Sequence, residues 1–82
     1  MKLNTFDYAG KQLTVLYDTV IVSKEGNIVT LNSGGYKTKT TKKYMNEALE
    51  EYGIYVFSKK GVWLVQKDDE VRMFHDGIRY TI

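Results

Sequence analysis

One short stretch of the chain has residue types that could bind an anion. Four lysines lie in it, after the sequence Ser33-Gly34-Gly35 and around the predicted start of a helix: Lys37, Lys39, Lys42 and Lys43. The partial positive charge of a helix N-terminus and the ammonium groups would together attract a phosphate group or an acidic protein surface. The glycines lack the G-x-x-x-x-G-K-[ST] spacing of a phosphate-binding loop, so a nucleotide site is not expected.

The charges along this helix oppose its dipole. The lysines lie at the positive end, and Glu47, Glu50 and Glu51 lie near the negative end. Each misplaced charge costs roughly 0.3–1 kcal/mol when it is weakly screened. Lys43 and Glu47 also have the less favourable order for an i,i+4 pair. Two interpretations are open: the lysines serve an anionic partner, or their long side chains extend into water at little cost.

Residues that commonly carry catalysis are few and poorly placed. The single histidine, His75, precedes Asp76, but neighbouring side chains of a strand point to opposite faces. The acidic run 68–70 lacks the spaced oxygen ligands of a calcium loop and the histidines of a transition-metal site. Ser33 has neither a nucleophile-elbow pattern nor a paired base, and the chain has no cysteine. We therefore expect no enzyme activity, no cofactor and no metal.

Short strands and one helix must position these residues. Glycine-containing turns separate runs of apolar and β-branched residues and predict hairpins at four places: Ala9-Gly10, Glu25-Gly26-Asn27, Lys59-Lys60-Gly61 and Asp76-Gly77. The pattern predicts an α+β fold, in which an antiparallel meander of about five to seven short strands carries one helix on one face.

The helix is predicted over residues 41–52, where the apolar period changes from two to about 3.6. Five side chains share its apolar face: Thr41, Met45, Ala48, Leu49 and Tyr52. Thr40 or Thr41 can serve as the N-cap, and Gly53 lies where a left-handed residue commonly ends a helix.

Tyr55, Phe57 and Trp63 lie on two neighbouring predicted strands, and two placements of them are open. In the first, they cover the core under the helix, which is an ordinary position for one tryptophan in a small domain. In the second, the helix covers the alternate apolar residues, and the three aromatics form an exposed stripe suited to protein binding or base stacking.

The composition is that of one small domain over residues 1–82. Of these residues, 43% are hydrophobic and 13% aromatic, which is enough to build a core. No stretch approaches the roughly 18 apolar residues of a membrane span, and the start of the chain has no secretory pattern. We expect a cytoplasmic protein without a membrane partner. The net charge of +2 does not require a nucleic-acid partner.

The most distinctive part of the chain resembles a family of small bacteriophage proteins to which no activity is assigned. The similarity lies in a Ser-Gly-Gly-aromatic run, a Thr-Thr-Lys run that opens a helix containing an asparagine, a later tryptophan and a Phe-x-Asp-Gly ending. In this sequence these features are Ser33–Tyr36, Thr40–Lys42, Asn46, Trp63 and Phe74–Gly77. Tyr36 replaces a more usual tryptophan, and Tyr44 replaces a basic residue. The resemblance covers about residues 30–82 and implies a phage accessory gene expressed in a bacterial host.

Two classes of function compete. The first is a host-takeover or anti-defence inhibitor that binds a bacterial protein or immune complex in the host cytoplasm. The second is a nucleic-acid-binding accessory protein whose lysines contact phosphates while tyrosines stack on bases. The second class requires the two lysine pairs to share a face, with the Lys59-Lys60 loop beside the helix start. A structural component of the virion is a third, less favoured class.

The candidate partner-binding residues surround the predicted helix start and the loop that should lie near it: Tyr36, Lys37, Lys39, Lys42, Lys43, Asn46, Lys59 and Lys60. An uncovered edge strand such as Ile78–Ile82 could also pair with a second copy and form a homodimer.

Overall fold

The computed structural model describes residues 3–82, which form eight strands and one α-helix. In chain order the strands are β1 (Leu3–Tyr8), β2 (Lys11–Leu16), β3 (Thr19–Glu25), β4 (Ile28–Leu31), β5 (Ile54–Lys59), β6 (Val62–Lys67), β7 (Glu70–Met73) and β8 (Ile78–Thr81). The helix α1 (Lys39–Leu49) lies between β4 and β5 and continues into a 3₁₀ turn at Glu50–Tyr52.

The strands form two antiparallel sheets. The larger sheet has the order β1-β2-β3-β4-β8, and the smaller has the order β5-β6-β7. The α+β class, the antiparallel pairing and the single helix are as predicted, and neighbours in sequence pair as a meander within β1–β4 and within β5–β7. The meander is interrupted by α1, so the strands divide between two sheets.

Two-residue turns join paired strands at Ala9-Gly10, as predicted, and at Lys60-Gly61, where the predicted loop also included Lys59, which belongs to β5. All four residues have positive φ, with values of 51° and 80° in the first turn and 53° and 80° in the second. Two successive positive φ values define the two-residue turn whose twist matches that of paired strands. Asn27 and Gly26 likewise separate the paired strands β3 and β4.

The Asp76-Gly77 hairpin was a wrong prediction. β7 pairs with β6, whereas β8 pairs with β4 and places Ile78 opposite Leu31. The turn therefore carries the chain from the smaller sheet to the edge of the larger one. Burial explains this choice, since β8 adds the buried side chains of Ile78 and Tyr80 to the core.

One hydrophobic core joins both sheets and the helix. Its fully buried members come from all three layers and include Ile21 and Leu31 of the larger sheet, Met45 and Leu49 of α1, and Val65 of the smaller sheet. The helix contacts β2, β3 and β5, so it ties the two sheets together.

The helix begins two residues earlier than predicted. Thr38 is the N-cap, since its φ of −109° and ψ of 164° are extended and its Oγ1 accepts a hydrogen bond of 3.1 Å from the Thr41 N–H. The predicted N-caps, Thr40 and Thr41, instead lie within the first turn, where Thr41 is buried. Tyr44, which the predicted apolar face omitted, is buried in the second turn. Gly53 ends the 3₁₀ turn with a φ of 71°, as predicted.

Trp63 does not share a face with Tyr55 and Phe57, so both predicted placements were wrong in this respect. The Lys60-Gly61 turn sets a register in which Trp63 lies opposite Ser58. Opposed residues of two strands share a face, and neighbours alternate. Trp63 consequently points toward the helix and is buried, whereas Tyr55 and Phe57 point away from it.

No helix within residues 3–82 is long and apolar enough to cross a membrane. The same residues contain no group of three or more acidic or histidine side chains arranged to hold a metal ion.

Candidate partner-binding surface

The loop before the helix is anchored by a contact between residues distant in sequence. Ser33 is 1% exposed, and its backbone N–H and hydroxyl donate to Oδ1 of Asp76 at 2.8 and 2.7 Å. The Ser33 Oγ in turn accepts from the N–H of Gly35 at 3.2 Å, and the Ser33 carbonyl accepts from the N–H of Tyr36 at 3.0 Å. Ser33 therefore orders the loop, because its hydroxyl both donates to Asp76 and accepts from Gly35.

These contacts change the acidity of Asp76. Burial raises the pKa of its carboxyl group, but the hydrogen bonds from Ser33, the charge of Lys37 and the N–H of Gly35 outweigh this effect. The net pKa lies below the ordinary value for aspartate. The carboxylate is therefore the form that holds the loop.

Gly34 brings the same loop close to the start of β3. Its φ is +63°, and a Cβ atom at this position would lie 2.7 Å from Cγ2 and 2.9 Å from Oγ1 of Thr19. The Gly34 N–H also donates to Oδ1 of Asn32 at 2.7 Å. Both the backbone conformation and the lack of space require glycine here.

Two of the predicted lysines lie over buried aromatic rings. Trp63 and Phe74 pack edge to face, with ring centroids 5.3 Å apart. The Nζ of Lys42 lies 5.9 Å from the centroid of Trp63, and the Nζ of Lys37 lies 5.8 Å from that of Phe74. Lys42 is half-buried and also donates to Oγ of Ser58 at 2.9 Å. Lys42 consequently has contacts within the fold.

Six of the eight predicted residues are exposed to solvent: Tyr36, Lys37, Lys39, Lys43, Lys59 and Lys60. Tyr36 is 67% exposed, Lys39 is exposed, and Lys43 is exposed with its Nζ 5.5 Å from the ring centroid of Tyr44. The first turn of α1 has no acidic residue. Within residues 3–82 the one ion pair joins Lys67 and Asp68, so no carboxylate pairs with the lysines of the helix start.

The loop that carries Lys59 and Lys60 lies at the same end of the molecule as the helix start. The hydrogen bond from Lys42 to Ser58 shows this, because Ser58 directly precedes Lys59 in β5. Strand alternation turns the Lys59 side chain to the face opposite Ser58, away from the helix. The two groups of lysines therefore share one end of the molecule but not one face.

Asn46 is engaged inside the fold. Its Nδ2 donates to the carbonyl oxygen of Val56 at 2.9 Å, and its Oδ1 accepts from the Val56 N–H at 2.7 Å. The amide thus pairs with the edge of β5 as a neighbouring strand would, and it fastens α1 to the smaller sheet. Both polar groups of the amide are engaged within the fold, so Asn46 is not one of the residues that we propose for partner binding.

A cleft of about 560 Å³ adjoins the helix start. Tyr17 and Tyr36, which are 62% and 67% exposed, both line it. Ten residues line the cleft: Leu16, Tyr17, Asp18, Thr19, Ile21, Ser33, Tyr36, Thr38, Thr40 and Thr41. Buried aliphatic side chains and threonines form much of the lining, so the cleft fits an apolar or aromatic side chain better than a charged one.

Sequence reasoning missed the cleft because Tyr17 belongs to the turn between β2 and β3. Tyr17 has a φ of 56°, and a non-glycine residue with positive φ commonly marks a tight turn. The available signal for a turn was Tyr17-Asp18 between two runs of strand-forming residues. It could not show that this turn meets the Ser33–Tyr36 loop.

The described part of the chain thus has an α+β fold with two antiparallel sheets. The contacts of Ser33 and Gly34 order the loop before the helix, and Tyr36, Lys39 and Lys43 are exposed around the helix start. The chain matches the Kyanoviridae Gp96 protein family over residues 4–81 and belongs to this family of bacteriophage proteins. The prediction of a small phage protein is confirmed. No curated protein and no solved structure matches it.

Proposed function

We propose that this phage protein inhibits a bacterial host protein or immune complex by non-catalytic binding in the host cytoplasm. The observation that carries the proposal is the cleft lined by Tyr17 and Tyr36 beside lysines that have no carboxylate partner within residues 3–82. The partner would offer an apolar or aromatic side chain to the cleft and acidic residues around it.

Each part of this surface has a recognised role in protein association. Tyrosine gives a large contact area with a polar tip and is enriched among residues that dominate binding energy. Lys37, Lys39 and Lys43 would form the rim, where charges steer the encounter and set the choice of partner. The cleft supplies the shape, and the lysines supply the preference for an acidic surface.

The surface is also held in place before binding. Ser33 and Asp76 fix the loop that precedes Tyr36, and the Thr38 cap fixes the helix start that borders the cleft. Less conformational entropy is then lost on association, which favours affinity.

The test is capture from bacterial lysate by the tagged full chain, followed by mass spectrometry. We expect one defined partner, lost with Tyr36→Ala and with the double variant Lys39→Glu/Lys43→Glu. The matched control reverses two exposed cations of the larger sheet, Lys11→Glu/Arg79→Glu, and should retain the partner. Equal retention by all variants would remove the helix start from the binding surface.

A second candidate is nucleic-acid binding. The contact between Lys42 and Ser58 favours it by bringing the Lys59-Lys60 loop to the helix-start end, whereas the Lys59 side chain lies on the other face of the smaller sheet and counts against it. Lysines at one end could contact successive phosphates while Tyr36 stacks on a base. Gel mobility of labelled single- and double-stranded DNA at two salt concentrations tests it. Binding would weaken steeply with salt, and an unshifted band at low salt contradicts this candidate.

A further inference from the structure

The outer face of the smaller sheet is apolar across all three strands. The pairing places Phe57, Leu64 and Met73 in one row and Tyr55, Gln66 and Val71 in the next. Six apolar side chains form this outer sheet face: Tyr55, Phe57, Val62, Leu64, Val71 and Met73. The rings of Tyr55 and Phe57 stack, with centroids 6.0 Å apart.

Nothing within residues 3–82 covers the outer sheet face. Met73 is 70% exposed, Tyr55 55%, Val71 51% and Val62 44%. The helix lies on the other side of the sheet, where Val56 and Trp63 are buried and Lys42 lies over the Trp63 ring. The six side chains expose on the order of 400–500 Å² of apolar surface, which is the size of the largest apolar patch of a monomer, a patch that is often functional.

The two ends of the outer sheet face carry opposite charges. The β5–β6 turn at one end holds Lys59 and Lys60. The β6–β7 turn at the other end holds Asp68 and Asp69, and Glu70 begins β7 beside it; Asp68 pairs with Lys67. The face is therefore an apolar strip with a basic end and an acidic end.

We propose that the outer sheet face binds a second copy of this chain and forms a two-fold symmetric dimer. The two-fold axis would lie between the sheets, along the row of Phe57, Leu64 and Met73 and perpendicular to the strands. This axis reverses the strand direction, so Lys59 and Lys60 of each copy meet the acidic β6–β7 turn of the other.

The charge arrangement favours a second copy over an unrelated partner. A two-fold interface uses one surface twice, so that surface must complement itself. An apolar strip with opposite charges at its two ends does so in the reversed orientation, since both ends are neutralised at once. Face-to-face packing of two sheets about 10 Å apart is also a standard arrangement of β-structure.

The interface between the two copies would be small. Two three-stranded faces would together bury on the order of 1,000 Å², near the lower limit for a specific interface. The dimer is therefore expected to dissociate on dilution. Because the helix lies on the opposite side of the smaller sheet, both helix starts would stay accessible, and the dimer could bind a host assembly through two surfaces.

The test is sedimentation equilibrium of the full chain over a roughly thousand-fold concentration range. The mass should rise from 9.5 kDa toward twice that value. Met73→Glu places a charge in the central row and should keep the protein monomeric throughout. The matched control is Tyr8→Glu, at an apolar residue of β1 with 67% exposure, and it should dimerise like the parent.

The orientation of the two copies has its own test. Lys59→Glu/Lys60→Glu should weaken the dimer at least tenfold, as should Asp68→Lys/Asp69→Lys, because each brings like charges together. Combining the four substitutions exchanges the two ends and should restore dimerisation. A monomeric parent chain, or a dimer that survives Met73→Glu and is held elsewhere, such as at the β8 edge, would overturn the proposal. A third result would also overturn it: a parent chain that is monomeric, captures a host protein and loses that protein when Met73→Glu is introduced.

Discussion

Ser33 donates two hydrogen bonds, of 2.8 Å from its backbone N–H and 2.7 Å from its hydroxyl, to one carboxylate oxygen of Asp76, 43 residues later in the chain. The contact joins the Ser-Gly-Gly run to the Asp-Gly turn. It also fixes the point at which the chain crosses from the smaller sheet to β8, since the adjacent Gly77 N–H donates to the carbonyl of Leu31 at 2.8 Å.

Replacing Asp76 tests the strength of this contact. Asp76→Asn keeps the shape but removes the charge from both hydrogen bonds, and it should lower the free energy of unfolding by about 1–2 kcal/mol at neutral pH, a value reduced for the exposure of the carboxylate. Urea denaturation measures the loss. The matched control is Asp69→Asn, in an exposed turn, which should change stability by less than about 0.5 kcal/mol.

The same contact gives the stability a dependence on pH. The folded pKa of Asp76 is lowered, so its contribution is complete above the unfolded-state pKa and is lost as the pH falls through the folded pKa. The difference between the parent chain and Asp76→Asn should therefore shrink as the pH falls from about 6 to about 3. A difference that is constant over this range would show that charge contributes nothing to the contact.

Gly34 and Gly35 form a matched pair for testing the close approach to Thr19. Both have positive φ, but an added Cβ meets Thr19 at 2.7 Å from Gly34 and meets nothing within 4 Å from Gly35. Gly35→Ala should cost about 1 kcal/mol through backbone strain alone. Gly34→Ala should cost about 1–2 kcal/mol more through the contact with Thr19. Equal losses in thermal or urea unfolding would contradict the steric explanation.

Local sequence signals predicted the local elements. Residues that tolerate positive φ marked the turns Ala9-Gly10 and Lys60-Gly61, and the apolar period marked the helix, because each structure is decided within a few residues. The loop was predicted one residue too long, as Lys59-Lys60-Gly61, and a one-residue change of register moves every side chain of a strand to the other face. The wrong placement of Tyr55 and Phe57 beside Trp63 follows from that length.

The features that failed depend on distant residues. The Asp76-Gly77 turn looks like a hairpin, yet β8 pairs with β4 because Ile78 and Tyr80 are buried there. The cleft required the turn at Tyr17 to meet the loop at Tyr36, and the role of Asn46 required knowledge of the β5 edge. None of these contacts has a signature in the local sequence.

The side chain of Asn46 should contribute to the stability of the fold and not to partner binding. Asn46→Ala leaves the N–H and the carbonyl of Val56 without their side-chain partner, so the free energy of unfolding should fall by about 1–3 kcal/mol. The Val56 amide should also exchange faster with deuterium. The matched control is Glu47→Ala on the exposed neighbouring position, which should alter neither property. An unchanged exchange rate at Val56 would contradict the strand-like role of the amide.

The contacts of Lys42 within the fold can be tested by replacing its side chain, and the result shows whether Lys42 is available to a partner. Its side chain covers Trp63, the only tryptophan of the chain, and its Nζ binds Ser58. Lys42→Ala should expose the indole ring to water, shift its fluorescence to longer wavelength and lower stability by about 0.5–1 kcal/mol.

Lys42→Met separates packing from charge, since methionine keeps much of the apolar stem. It should restore the parent fluorescence while still lacking the ammonium group. Lys39→Ala, at an exposed lysine of the same turn, is the control and should leave both properties unchanged. If Lys42→Ala also leaves the fluorescence unchanged, Lys42 does not shield Trp63 and joins Lys39 and Lys43 among the lysines available to a partner.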